Sequence, residues 1–204
     1  SVLSYTLMKY GASVHVFDLP EENKSSIVAS GLWNPVVLKR MKKVWRADEM
    51  METLQRVYPA MENWTGKKFY HPLPIRRIFH SAGEQNQWVA HSDHPSFSPY
   101  LNENISSVPE HIIAEHGSGM MKQTGRVKVK TMLAAVRSNL KTSGNFTAAK
   151  FHWSQLESHG YGVKYGSLGA QAVISCEGAQ DALGESEMAV TGFAPVKGEV
   201  ITVK

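Results

Sequence analysis

The sequence predicts an α/β chain, and three observations carry that expectation. The first is an opening helical stripe that passes through a glycine into a short apolar run ending on Asp18. The second is another helical stripe over residues 127–140. The third is a pair of short apolar runs, 172–175 and 199–203, each with the length and composition of a buried strand. The chain has 204 residues, of which 42% are hydrophobic and 20% charged, so it can bury a sizeable core.

Each element follows from local chemistry. Val2, Leu3, Tyr5, Leu7 and Met8 make the opening stripe. Gly11 stands where a helix stops, because glycine takes a positive φ without a Cβ clash. Residues 14–17 then read as a strand. Residues 23–37 read as a loop rich in small residues (Ser25, Ser26, Ala29, Ser30, Gly31) and closed by the turn pair Asn34-Pro35. Residues 48–64 read as a helix on Met51, Leu54, Tyr58, Met61 and Trp64, with Pro59 expected to kink or divide it. Residues 68–80 turn extended through Phe69, Leu73, Ile75, Ile78 and Phe79. Residues 81–110 are mixed and polar and favour no element. Residues 111–114 fit a strand, 127–140 a helix on Val129, Met132, Leu133, Val136 and Leu140, and 150–156 a strand or its edge. The strand-like finish and the uncapped helical start lead us to expect a chain cut from something larger.

The charge balance excludes little but narrows the partners. Net charge is +4, and the basic residues are spread out except for Lys39, Arg40, Lys42 and Lys43, which read as a solvated face. No nucleic-acid partner is expected. No apolar run approaches the roughly 20 residues of a bilayer span, so no membrane is expected either. One cysteine, Cys176, excludes an intrachain disulfide framework and suits a reducing, cytoplasmic location. The triplets at Asn63, Asn104 and Asn145 are then chance matches to a glycosylation signal.

A dinucleotide-binding unit runs strand, Gly-rich turn, helix, second strand, with an acid roughly 20 residues beyond the glycines to bond the ribose hydroxyls. Asp18 occupies that last position. Counting back puts the Gly-rich turn immediately before Ser1, so the opening helix is the one whose N-terminus faces the pyrophosphate. The same order also suits a plain turn aspartate. The following stretch, Ser25-Ser26-Ile27-Val28-Ala29-Ser30-Gly31-Leu32-Trp33-Asn34-Pro35, sharpens the choice. Small residues there let backbone N–H groups and hydroxyls approach phosphates closely.

A Ser-Ser-x-x-Ala-x-Gly stretch running into Asn-Pro after the acid resembles the D-amino-acid-oxidase-like superfamily of FAD-dependent oxidoreductases. Val173-Ile174-Ser175-Cys176-Glu177-Gly178 is similar to the family's strand returning to the nucleotide domain. Phe193-Ala194-Pro195-Val196-Lys197-Gly198-Glu199-Val200 is similar to its Pro-x-x-Gly-x-hydrophobic strand. Residues 126–140 resemble the helix before the central strands, and Lys150-Phe151 the segment whose backbone meets the adenine. The resemblance spans nearly the whole chain, least clearly 81–125. It implies a partial Rossmann-type FAD-binding domain, residues 1–44 and 126–183, interleaved with an α+β substrate domain on a mostly antiparallel sheet, residues 45–125 and 184–204.

The resemblance implies FAD as cofactor, with Asp18, Ser25, Ser26, Ala29, Gly31, Asn34, Phe151, Cys176 and Gly178 around it. It implies oxidation of a small amine or amino acid by hydride transfer to flavin. Relative to the family, the Gly-x-Gly-x-x-Gly turn falls before Ser1 and the portion that contacts the flavin ring falls after Lys204. FAD binding is therefore expected of a longer protein rather than of these 204 residues alone. No catalytic residue is assigned. Arg76 and Arg77 are the candidate anchors for a substrate carboxylate, because a guanidinium fork matches two oxygens; strand alternation sends them to opposite faces, and a surface ion pair is the plainer role. The alternatives are an NAD(P)-dependent Rossmann enzyme, which Asp18 also suits, and a non-catalytic module derived from the fold.

Other constellations read mostly as structure. Trp33, Trp45 and Tyr70 can wall a flavin cavity but as single aromatics suit a core. Lys43 is a candidate for the lysine that stands near the flavin in some members of the family. His91 and His94 flank Asp93 without a third ligand, so no metal is expected. Cys176 reads as a small buried residue, having no cationic neighbour to activate it.

Overall fold

The structure, a computed structural model, describes residues 1–19, 24–176 and 178. Helix α1 (Val2–Lys9) leads to β1 (Val16–Phe17), a short α2 (Ser25–Val28), β2 (Leu32–Trp33), β3 (Val36–Val37) and β4 (Lys42–Lys43). Next come α3 (Ala47–Thr65), β5 (Tyr70–Pro72), β6 (Ile75–Ile78), α4 (Ala82–Ser92), β7 (Leu101–Ser106), β8 (Ser118–Met121) and β9 (Gly125–Val127). Then follow α5 (Val129–Thr142), β10 (Phe146–Thr147), a 3-10 turn (Trp153–Gln155), and the meander β11 (Leu156–His159), β12 (Gly162–Tyr165) and β13 (Leu168–Ala170).

The architecture is mixed α/β with several small sheets. Among the described residues, β1 and β10 pair in parallel, Val16 opposite Phe146 and Phe17 opposite Thr147. The remaining ladders, β2-β9-β5, β3-β4, β6-β8-β7 and β11-β12-β13, are antiparallel. Each strand of the parallel pair is entered from a helix, α1 before β1 and α5 before β10. Crossover connections of this kind are what parallel pairing requires.

Among the described residues two apolar clusters hold the elements. One gathers Val36, Met41, Met51, Phe79, Trp88, Tyr100, Leu101 and Met121. The other gathers Tyr5, Met61, Phe69, Val127, Met132, Val136 and Leu140. Helix α3 serves both, with Met51 near one end and Met61 near the other, and Trp33 packs against each. The stripe of α5 is as its spacing demands: Met132, Ala135, Val136 and Leu140 are buried. Glu62 ties α3 to β5. Its buried carboxylate accepts from Phe69 N at 2.6 Å, Tyr70 N at 2.9 Å and Lys68 Nζ at 2.9 Å. Burial pushes that carboxyl up, and the Tyr70, Lys68 and Phe69 hydrogen bonds outweigh it, leaving the group below the ordinary glutamate range.

Several expectations need correction. Helix α3 runs unbroken through Pro59. The carbonyl that proline leaves unpaired belongs to Gln55, an exposed residue, where water can bond it. The loop at 23–37 contains α2, β2 and β3. Residues 68–80 divide at Leu73-Pro74, where Leu73 N bonds Thr124 O at 3.0 Å. Residues 111–114 form a turn rather than a strand, leaving Ile113 87% exposed. Within 150–156 the first three residues form no regular element, Trp153–Gln155 form the 3-10 turn, and the strand begins only at Leu156. Residues 172–175 form no strand and are exposed. A strand is made by its ladder partner, and none pairs with them among the described residues. The expected strand at 199–203, the Phe193–Val200 segment and Glu177 lie outside the described residues.

Candidate functional site

The site is built outward from Asp18, at the carboxyl end of the β1–β10 ladder. Its N–H donates to Thr147 O at 3.2 Å, extending the ladder by one bond. Lys24 Nζ donates to Oδ1 at 2.5 Å and Arg137 Nη2 to Oδ2 at 2.7 Å. Lys24 caps the start of α2 and Arg137 projects from α5, so one carboxylate joins three elements. Burial pushes the Asp18 carboxyl up; the Lys24 and Arg137 hydrogen bonds and charges overcome that and hold it below the usual aspartate range. Ser1, at the start of α1, lies within electrostatic reach of both Asp18 and Cys176.

An aromatic shelf adjoins this corner. Phe151 stacks on Tyr165 at 4.3 Å and meets Trp153 edge-on at 5.0 Å. Phe17 sets its edge against Phe151 at 5.4 Å and Tyr165 at 5.1 Å. His15 lies 5.2 Å from Phe17, and its Nε2 bonds Thr147 Oγ1 at 2.8 Å. Neighbouring side chains of an extended segment leave by opposite faces, so the shelf and the Asp18 carboxylate bracket the strand end from two sides.

The loop that follows is pinned to β9. Gly31 has φ +72°, and a Cβ there would lie 2.0 Å from Val127 O. Val127 N bonds Gly31 O at 2.9 Å, and Arg126 Nε bonds Ser30 O at 3.0 Å. Gly31 is thus demanded by strand packing whether or not a ligand approaches. Asn34 Oδ1 accepts from Val36 N at 3.0 Å, a local turn bond. Ser25, Ser26 and Ala29 are exposed, as are Cys176 and Gly178, the latter with φ +67°. Cys176 is therefore not the buried residue expected; it follows a segment that pairs with no strand among the described residues.

The remaining candidates separate. Trp33 stacks on Tyr70 at 4.8 Å and donates to Gln123 O at 3.2 Å; Gly125 makes room, since a Cβ there would sit 2.2 Å from the indole. Trp45 does not join them and is 73% exposed. Lys43 pairs with Asp48 at 2.6 Å. Arg76 Nη1 donates to Ser107 O at 2.6 Å and Ser118 Oγ at 2.7 Å, and Arg77 pairs with Glu84 at 3.1 Å. Both line an open cleft of about 450 Å³ with His80, Ile113 and His116, on the β6-β8-β7 sheet rather than at the Asp18 corner. His91 Nδ1 lies 2.8 Å from Gln87 O, and the His91 and His94 rings lie against Phe97. Among the described residues no group of three potential ligands converges on a metal position, and no helix is long and apolar enough to cross a membrane.

Sequence reasoning missed Lys24 and Arg137. Arg137 follows buried Val136 on the flank of the α5 stripe, a position that faces the neighbouring strand, and that spacing was the available signal. It also missed His71 Nε2, a buried atom without a protein partner among the described residues. No known family model matches the chain, and no solved structure matches it. The chemistry of the corner therefore rests on its residues.

Proposed function

We propose that this chain is part of an FAD-dependent oxidoreductase that oxidises a small amine or amino acid. The observation that carries the proposal is Asp18 at the carboxyl end of a parallel pair whose strands are each entered from a helix. Open α/β sheets bind nucleotides at the carboxyl ends of their strands.

The residues fit the adenosine part of that cofactor. A carboxylate offers about four lone-pair sites, and among the described residues Lys24 and Arg137 use two, so two ribose hydroxyls would donate to the others. The start of α1, beside Asp18 and Cys176, would face the phosphates. Exposed Ser25 and Ser26 would donate to them, with Ala29 leaving space, and Gly31 and Asn34 would shape the loop. Phe151 would stand at the adenine, and exposed Cys176 and Gly178 would let the backbone pass close to the cofactor. When bound, FAD supplies the hydride acceptor; the protein supplies binding and orientation.

In the same proposal residues 1–44 and 126–183 form the Rossmann-type part and residues 45–125 and 184–204 the substrate part, the two sharing the β2-β9-β5 sheet. Arg76 or Arg77 would anchor a substrate carboxylate, since each guanidinium has five N–H donors and only some are engaged. The test is anaerobic mixing of the complete, FAD-loaded protein with amino acids and simple amines. Bleaching of the oxidised flavin is expected with at least one of them. A protein whose melting temperature rises with NADH and not with FAD would favour the NAD(P) alternative. Bound flavin that no amine bleaches would favour a binding module.

A further inference from the structure

Arg137 does more than neutralise charge. It reaches Oδ2 of Asp18 at 2.7 Å from α5, while Lys24 reaches Oδ1 at 2.5 Å from the start of α2. A carboxylate held on different oxygens by two elements loses its freedom to rotate. Arg137 is itself placed, with its guanidinium 5.8 Å from the centre of the Phe146 ring. The next residue, Thr147, accepts the Asp18 N–H. Helix α5, β10 and β1 are thereby closed into one ring of contacts around the carboxylate. The lone pairs that Lys24 and Arg137, its partners among the described residues, leave on Asp18 are fixed in direction before any ligand arrives.

We infer that Arg137 is a positioning residue, which orients the Asp18 carboxylate to accept the 2′-hydroxyl of an adenosine ribose. The inference rests on the nucleotide-binding role proposed above. A hydroxyl suits the corner better than a 2′-phosphate. The two cations are already engaged by Asp18, and the carboxylate repels a phosphate placed on its open side. Preorganisation is the benefit: an acceptor already held in place need not be ordered at the moment of binding.

The test measures affinities of ADP, 2′-deoxy-ADP and 2′,5′-ADP for the complete protein freed of bound nucleotide. The wild type should prefer ADP to 2′-deoxy-ADP by about tenfold, the contribution of one hydrogen bond to a charged acceptor. Arg137→Met should narrow that preference to below about threefold, and Arg137→Lys, which keeps a donor and the charge, should retain most of it. Asp18→Ala should abolish it, which gives a result independent of how well Arg137→Met folds. A merely structural arginine would change all affinities together and leave the ratio intact. An unchanged ratio in Arg137→Met, a preference surviving Asp18→Ala, or tighter binding of 2′,5′-ADP would overturn the inference. A wild type that binds FAD yet ignores the 2′-hydroxyl would overturn this inference only. A wild type that binds no FAD would remove the proposed function and this inference with it.

Discussion

Around Trp88 the chain is organised by apolar packing; around Asp18 it is organised by charge. Trp88 is 1% exposed, packed with Phe79, Tyr100, Leu101 and Met121, and its one polar atom donates to Asn102 O at 2.8 Å. Gly119 lies beneath it, where a Cβ would come within 2.2 Å of the indole. The Asp18 corner has a ladder of two residue pairs and a carboxylate about a third exposed, held by two cations. A closed apolar region can hold a fold but offers nothing to a solute. A carboxylate exposed to that extent and held by cations adds little to stability. Apolar packing and the proposed ligand chemistry thus fall in different places, and substitutions should separate them.

The largest effect is expected at the apolar end. Trp88→Ala should lower unfolding free energy by about 3–5 kcal/mol in denaturant titration, through lost burial and the cavity it leaves. An effect below about 1 kcal/mol would mean that this cluster is not the stable half. Gly31→Ala comes next, at about 3 kcal/mol, because it combines a left-handed φ with a clash against the Val127 carbonyl. Glu62→Gln should lower stability by about 2 kcal/mol, since the amide cannot accept as strongly from two backbone N–H groups and a lysine.

The smallest stability effect is at Asp18. Asp18→Asn should change stability by less than about 1 kcal/mol at neutral pH, because the ion pairs are partly exposed and screened. Its sign is set by linkage. The folded carboxyl lies below its unfolded value, so its stabilisation is full above the ordinary aspartate range and is lost as pH falls through the lower folded value. The melting temperatures of wild type and Asp18→Asn should therefore begin to converge below about pH 4 and meet below the lower folded value. A gap that widens on acidification would show that the carboxylate is not stabilised by its cations.

The sequence made the long periodic elements legible, and the reason is physical. Met132, Val136 and Leu140 repeat at helical spacing because α5 packs one face, while in α3 Met51 packs into one apolar cluster and Met61 into the other. Residues 81–110 hid α4 and β7, although Ser81 and Glu84 form a capping pair with Ser81 Oγ accepting from Glu84 N at 3.2 Å. Residues 172–175 misled for the opposite reason: apolar β-branched residues signal a strand, but pairing is decided by a neighbour that local sequence does not name. At the candidate site Asp18 was legible from its place after a strand. Its cations were not, because Lys24 lies across a turn and Arg137 is 119 positions away, and only the fold brings them together.

Flavin binding at Asp18 is read from the visible absorption spectrum of the complete protein, before and after reconstitution with FAD, beside its Asp18→Ala variant. The wild type should hold oxidised flavin, and the variant should retain it markedly less. A wild type that stays colourless after reconstitution, or a variant that retains FAD as tightly as the wild type, would contradict flavin binding at Asp18.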